Sequence, residues 1–258
     1  MPVWLTISLL IVLSLIISYS GFTIIHKYYD YTHLEKYHNV TSYLFNAYGL
    51  LYAVLIAFVV FINWSDFNSA QSQFYAESNR ISNLFHIVQG FPEPERTDLM
   101  KSIYEYVDVI NKSEIPEISS GNYSYEHNPA YNKLWKALLS LNEKQIQNPI
   151  IYDKALDELN KISESRRLRY FYIGNRVPGL IWIVLIAGCL MSFSFSFFFG
   201  IKARFPYFFL AVAFTFINII MLYLIFVLDN PYEGVNAISY DTMEKVQVHI
   251  KSVMESFR

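Results

Sequence analysis

Six histidines are the first place to look for chemistry: His26, His33, His38, His86, His127 and His249. His33 and His38 stand five residues apart, a poor spacing for one helical face. No glycine-rich phosphate loop, Gly-x-Ser-x-Gly elbow or His-Glu-x-x-His pattern occurs. The adjacent acids Glu93/Glu95 and Asp157/Glu158 read as solvated faces. Cys189 is the single cysteine. It excludes an intrachain disulfide and a cysteine-based zinc site, and in Gly188-Cys189-Leu190 it reads as a small packing residue. The sequence therefore predicts no enzyme, no catalytic residues, no metal ligands and no cofactor.

A different pattern lies in the uncharged run Tyr43 to Trp64. At 100° per residue, Asn46, Gly49, Leu50, Ala53, Ala57, Val60 and Trp64 share one helical stripe, which Asn68 and Gln71 continue. The stripe is small or polar, while Phe45, Leu55, Phe58 and Ile62 lie mostly elsewhere. Two readings stay open. Small residues mark close helix contacts in lipid, so the stripe can be a seam within one subunit. Alternatively, copies of this helix around an axis make a pore wall, with Asn46 and Asn63 as wetter ends of an apolar constriction.

Charged candidates flank this run. Asp66, Glu77 and Arg80 follow it, and Glu77 and Arg80 have the spacing of a helical ion pair. Arg166, Arg167, Arg169 and Arg176 precede a later apolar run. All seven can ring a vestibule; the arginines can equally anchor lipid headgroups.

The elements that must position these residues follow from hydropathy. The chain has 258 residues, 53% hydrophobic and only 16% charged, with mean hydropathy +0.25. Soluble domains average about 25% charged residues. Four uncharged runs are long enough to cross a hydrocarbon core of about 30 Å: Val3 to Ile25, Tyr43 to Trp64, Val177 to Phe199 and Phe205 to Leu228. The first lacks the basic start of a signal peptide. Gly200 to Arg204 makes a tight hairpin of the last two. The fold class is thus all-α, a polytopic membrane protein with a helical domain inserted between spans two and three.

The expected divisions are 1–64 for the first two spans, 65–176 for the insertion, 177–228 for the last two spans and 229–258 for the tail. Within the insertion, Asp66 to Val88 extends span two as a stalk, and Phe91-Pro92-Glu93-Pro94 breaks it. Helical spacing recurs over Arg96 to Asn111, Tyr131 to Gln147 and Ile150 to Tyr172. Ser113 to Pro129 reads as a loop. The tail from Asp241 to Phe257 is an amphipathic helix, with Met243, Val246/Val248, Ile250 and Val253/Met254 apolar. Basic residues at the flanks favour a cytoplasmic insertion, with both termini on that side of an inner membrane. Net charge −2 gives no field to attract nucleic acid.

Several segments together resemble the bestrophin-like membrane family. They are Gly49, Ala57-Phe58-Val59-Val60, Asn63 to Ala70, Glu77-Ser78-Asn79, Phe91-Pro92, the arginine run into Pro178 and Trp182, Phe195 to Gly200, and Leu228-Asp229-Asn230-Pro231-Tyr232-x-Gly234. Bestrophins proper are pentameric anion channels whose second span forms a narrow apolar neck. The resemblance implies that the Asn46 to Asn68 stripe faces a pore, that the chain is a homo-oligomer with five copies favoured, and that its partners are the bilayer and inorganic ions. It implies a passive, chloride-like conductance, while the composition points to a bacterial protein. A cation channel of the same architecture and a non-conducting signalling or scaffold protein, with the tail as a partner helix, are the alternatives. In bestrophins the turn at Asn230 precedes an acidic calcium-binding run, but here Val235 to Ser239 is neutral.

Overall fold

The computed structural model describes residues 3–28, 35–120, 128–199, 204–233 and 237–256. His33, His127, most of the Gly200 to Arg204 hairpin, Gly234 and Phe257 lie outside them. The described residues are helical, with no strand among them.

The helices are α1 (Val3–Tyr28), α2 (His38–Val88), α3 (Glu95–Val109), a π-helical turn (Ile110–Glu114), α4 (Ile115–Ser119), α5 (Pro129–Leu139), α6 (Glu143–Ile146), α7 (Pro149–Gly174), α8 (Gly179–Phe197), α9 (Arg204–Leu228) and α10 (Asp241–Ser256). Four of them, α1, α2, α8 and α9, are long and apolar enough to cross a membrane. In hydrocarbon only a helix or a closed barrel satisfies its backbone internally, and continuous apolar runs of this length fit the helix.

The chain forms two compact units. One comprises Met1–Ser65 and Arg176–Asp229; the other comprises Asp66–Asn175 and Asn230–Arg258. The boundary falls inside α2, a continuous helix of 51 residues.

In the first unit α1 packs on α9 and α8. The α2 segment meets α8 through two tyrosines. Tyr52 donates to the Leu185 carbonyl at 2.8 Å, and Tyr48 donates to that of Gly188. The Tyr52 ring lies over Gly188, where an added Cβ would sit 2.3 Å from it and 3.1 Å from the Tyr48 hydroxyl oxygen. The room for the Tyr52 side chain against α8 is therefore given by a glycine of α8, and the small stripe of α2 takes no part in this contact. Val59, Leu185 and Ile225 continue this packing. Cys189 is buried beside Tyr52 and Phe193. Serines of α8 bond back to their own helix, as Ser194 does to the Leu190 carbonyl at 2.9 Å.

The second unit has an apolar core of α2, α3, α5, α7 and α10 side chains, including Phe74, Ile81, Phe85, Leu99, Ile103, Leu134, Leu159, Ile162 and Met243. Three sequence expectations are corrected here. Ser113 to Ser119 is helical rather than a loop, because Ile115 and Ile118 are needed in the core. Tyr131 to Gln147 is not one helix. It begins earlier, with Asn128 accepting from the Tyr131 N–H at 2.9 Å, and stops at Leu139 before the short α6. In α10, Met243, Val246 and Ile250 are buried, but Val248 is 69% exposed. The apolar face of the tail is occupied within its own unit, where α10 packs on α3.

Candidate functional site

The α2 stripe lies on the outside of its own chain. Asn46, Leu50, Ala53, Ala57 and Trp64 are exposed in the first unit, and Gly49 and Val60 are partly covered. Beyond Ser65, Asn68 is exposed and Gln71 partly covered. The opposite face carries Tyr48, Tyr52, Leu55, Ile56 and Val59 into the helix contacts. An intrachain seam is thus built by the aromatic and branched face, and the stripe does not form it. Phe58 and Phe61 are exposed as well, at 64% and 70%. Asn63 departs from its expected place at the end of a constriction. It is 5% exposed, on the packed face, with no hydrogen-bond partner for Nδ2 among the described residues.

The charged candidates divide sharply. Glu77, Arg166 and Arg169 are buried, at 0%, 4% and 0% exposure. They meet a residue the sequence reading missed, Glu114, at the end of the π-helical turn. Arg169 Nε donates to Glu77 Oε2 at 2.7 Å, and its Nη2 donates to Glu114 Oε2 at 2.8 Å. Arg166 Nη2 donates to Glu114 Oε1 at 3.2 Å. Tyr106 donates its hydroxyl to Glu77 Oε1 at 2.8 Å, and Asn128 donates to Glu114. The Arg166 guanidinium lies over the rings of Tyr131 and Tyr170, 4.8 and 5.2 Å from their centroids. Two carboxylates balance two guanidiniums, so the core carries no net charge from this group.

The expected Glu77–Arg80 pair is absent. Arg80 instead donates to the Lys161 carbonyl and Ser165. A fully buried carboxylate needs a partner inside the core, and Arg169 is the one that reaches it. Headgroup anchoring is likewise excluded for Arg166 and Arg169 by their burial. Arg167 and Arg176 are exposed, and Asp66 accepts from Asn175 Nδ2 at 3.1 Å.

Burial raises the Glu114 carboxyl, but Arg169 and Arg166 outweigh that and hold it below the usual carboxylate range. Burial pushes the Tyr106 hydroxyl well up, and the carboxylates of Glu77 and Glu114 push it further. Arg169 stays protonated: burial opposes its charge, and the same two carboxylates more than restore it.

One signal in the sequence does find this cluster. Ala155, Leu159, Ile162, Arg166, Arg169 and Ile173 follow a single helical register, as do Ala70, Phe74, Glu77, Ile81 and Leu84. Charges inside an apolar register are candidates for buried pairs. The π-helical turn that delivers Glu114 has no such signature.

Among the described residues no group of three or more histidine, cysteine or acidic side chains is placed to hold a metal ion. The α2 stripe holds no charged side chain and no nucleophile in the membrane-spanning segment. It can admit or exclude water and ions, and it offers nothing for covalent chemistry.

Residues 10–243 match the family model of the bestrophin-like domain. Among solved structures, a mutant form of a bacterial bestrophin homologue from Klebsiella pneumoniae is similar with a TM-score of 0.73 and 13% identity, over 96% of this chain and 98% of the other. A second mutant form from that organism gives a TM-score of 0.74 and 12% identity, over 99% of both chains. A structure described as a membrane protein gives 0.76 and 12%, over 96% and 98%. At these identities the likeness establishes the fold. No curated protein matches the chain by sequence.

Proposed function

This chain belongs to the bestrophin-like family, and from that premise we propose that copies of it form a closed ring around an ion path lined by the α2 stripe. One copy of four spans cannot enclose such a path, and closed cyclic symmetry is the ordinary solution. The family resemblance favours five copies. The ring conducts anions of the chloride type passively and carries out no enzymatic reaction. Its second unit and both termini face the cytoplasm from an inner membrane.

The observation that carries this reading is the exposure of Asn46, Leu50, Ala53, Ala57 and Trp64 on the face of α2 opposite the tyrosine contacts. A small, uncharged face left uncovered by its own chain suits an assembly axis. Apolar Leu50, Ala53, Ala57 and Val60 between the polar ends Asn46 and Asn68 suit a neck that gates by wetting. Anion preference is supported by the exposed cationic side chain Arg167, which raises local anion concentration.

The test is the reversal potential of purified protein in a planar bilayer under a KCl gradient. Reversal near the chloride potential is expected. Reversal near the potassium potential would keep the architecture and make the protein a cation channel. Silence from a folded, ring-forming preparation would favour the scaffold alternative.

A further inference from the structure

Two imidazoles meet at the end of α2, apart from the surfaces described above. His86 stands in the last turn of α2 and His249 in α10. Their ring centroids are 5.6 Å apart, with planes inclined at 56°. Both side chains are exposed, so burial does not account for either. The Gln89 amide lies 3.5 Å from His86 Nδ1, and the Phe85 ring meets His249 edge-on at 6.3 Å between centroids. All of these residues belong to the second unit.

The spacing suits a shared metal ion. At the usual zinc–nitrogen distance of about 2.0–2.1 Å, an ion sits roughly 3.2 Å from each ring centroid. Centroids 5.6 Å apart then subtend about 120° at the ion, close to a tetrahedral angle. Imidazole nitrogen selects zinc, nickel and copper, whereas calcium and magnesium demand oxygen ligands. The carbonyl end of α2 adds a favourable field for a cation beside His86. Without a third strong ligand among the described residues, water completes the coordination and affinity is moderate.

We propose that His86 and His249 form a two-imidazole site for a late first-row divalent ion, with zinc the physiological candidate, and that the ion clamps α10 to the end of α2. Met243, Val246 and Ile250 already hold the first part of α10 in the core. Past Ile250, Val253 and Met254 are the hydrophobic side chains that pack on the core among the described residues, and they do so in part. The ion adds a tie at His249, beside Ile250, at the last point where α10 is held in the core. The site does not depend on whether the α2 stripe lines a pore.

The experiment uses full-length protein in detergent, stripped of metal and titrated with zinc chloride, with nickel as a second probe. One zinc per protomer is expected at this site, with its affinity at least tenfold weaker in His86→Ala and in His249→Ala. Zinc should raise the unfolding temperature of the unmodified protein, and calcium should not. Either alanine variant should lose the zinc-dependent rise. The size-matched variants His86→Gln and His249→Gln separate a lost ligand from a lost fold: they should elute like the unmodified protein and bind zinc as weakly as the alanine variants. Unchanged zinc affinity in either glutamine variant would overturn the proposal, as would zinc stabilisation that survives loss of both imidazoles.

Discussion

Arg169 Nε lies 2.7 Å from Glu77 Oε2, and neither side chain is exposed to solvent. This contact joins α7 to α2 in the interior of the second unit. The second carboxylate on the same guanidinium, Glu114, brings in the π-helical turn. Three segments distant in sequence are thus fixed by one cation. Removing one partner from a buried pair leaves an uncompensated charge.

Arg169→Met should therefore destabilise the protein by about 3–5 kcal/mol, since it strands both Glu77 and Glu114. Thermal unfolding in detergent measures this. Adding Glu77→Gln to Arg169→Met should recover part of the loss, because one stranded charge is gone. A loss below about 1 kcal/mol, the range of a surface ion pair, would contradict the buried role.

Acid should weaken the second unit through Glu114. Its folded pKa is depressed, because the neighbouring guanidiniums outweigh the burial that raises it. Its contribution to stability is complete above the unfolded carboxylate value of about 4.3 and is lost as pH falls through the depressed folded value. Glu114→Gln should be less stable at neutral pH and should show a shallower loss in acid. Parallel acid-unfolding curves for the two proteins would contradict this.

Gly188→Ala should loosen the first unit, because its new Cβ meets the Tyr52 ring at 2.3 Å. Overpacking of this kind costs about 1–3 kcal/mol. Combining it with Tyr52→Ala should reverse part of the steric cost while losing the bond to the Leu185 carbonyl. Thermal unfolding of both variants tests the pair.

Arg167→Glu and Arg176→Glu should shift the reversal potential toward that of potassium, and Arg167→Glu should leave the fold intact because its side chain is exposed. Arg166→Glu and Arg169→Glu should instead lower the yield of folded protein. An unaltered reversal potential in the first two variants would leave those residues no part in selectivity.

How far these features can be read in advance depends on the kind of constraint. The four spans are legible because continuous apolar runs of this length fit a helix in lipid. The faces of α2 are legible in part. Helical rotation separates Ala53 and Ala57 from Tyr48 and Tyr52, but small-residue packing in lipid suggests that the alanines form the seam. The structure puts the small residue on the other helix, at Gly188, under the Tyr52 ring. Arg166 and Arg169 are misread for a related reason. A basic run before a span looks like a headgroup anchor, although both arginines sit in the apolar register of α7 while Arg167 does not. Glu114 is not legible, since nothing in Ile110 to Glu114 announces the widened turn that carries it inward.

The most direct measurement is cysteine accessibility along α2 in conducting protein. Cys189 is the only native cysteine and is buried, so a Cys189→Ser background gives a silent start. Single cysteines at Asn46, Ala53 and Ala57 should react with a charged, water-soluble thiol reagent and reduce the current. Cysteines at Leu55 and Ile56, on the packed face, should not react. Uniform silence at the three stripe positions, in protein that still conducts, would contradict the claim that this face of α2 lines the ion path.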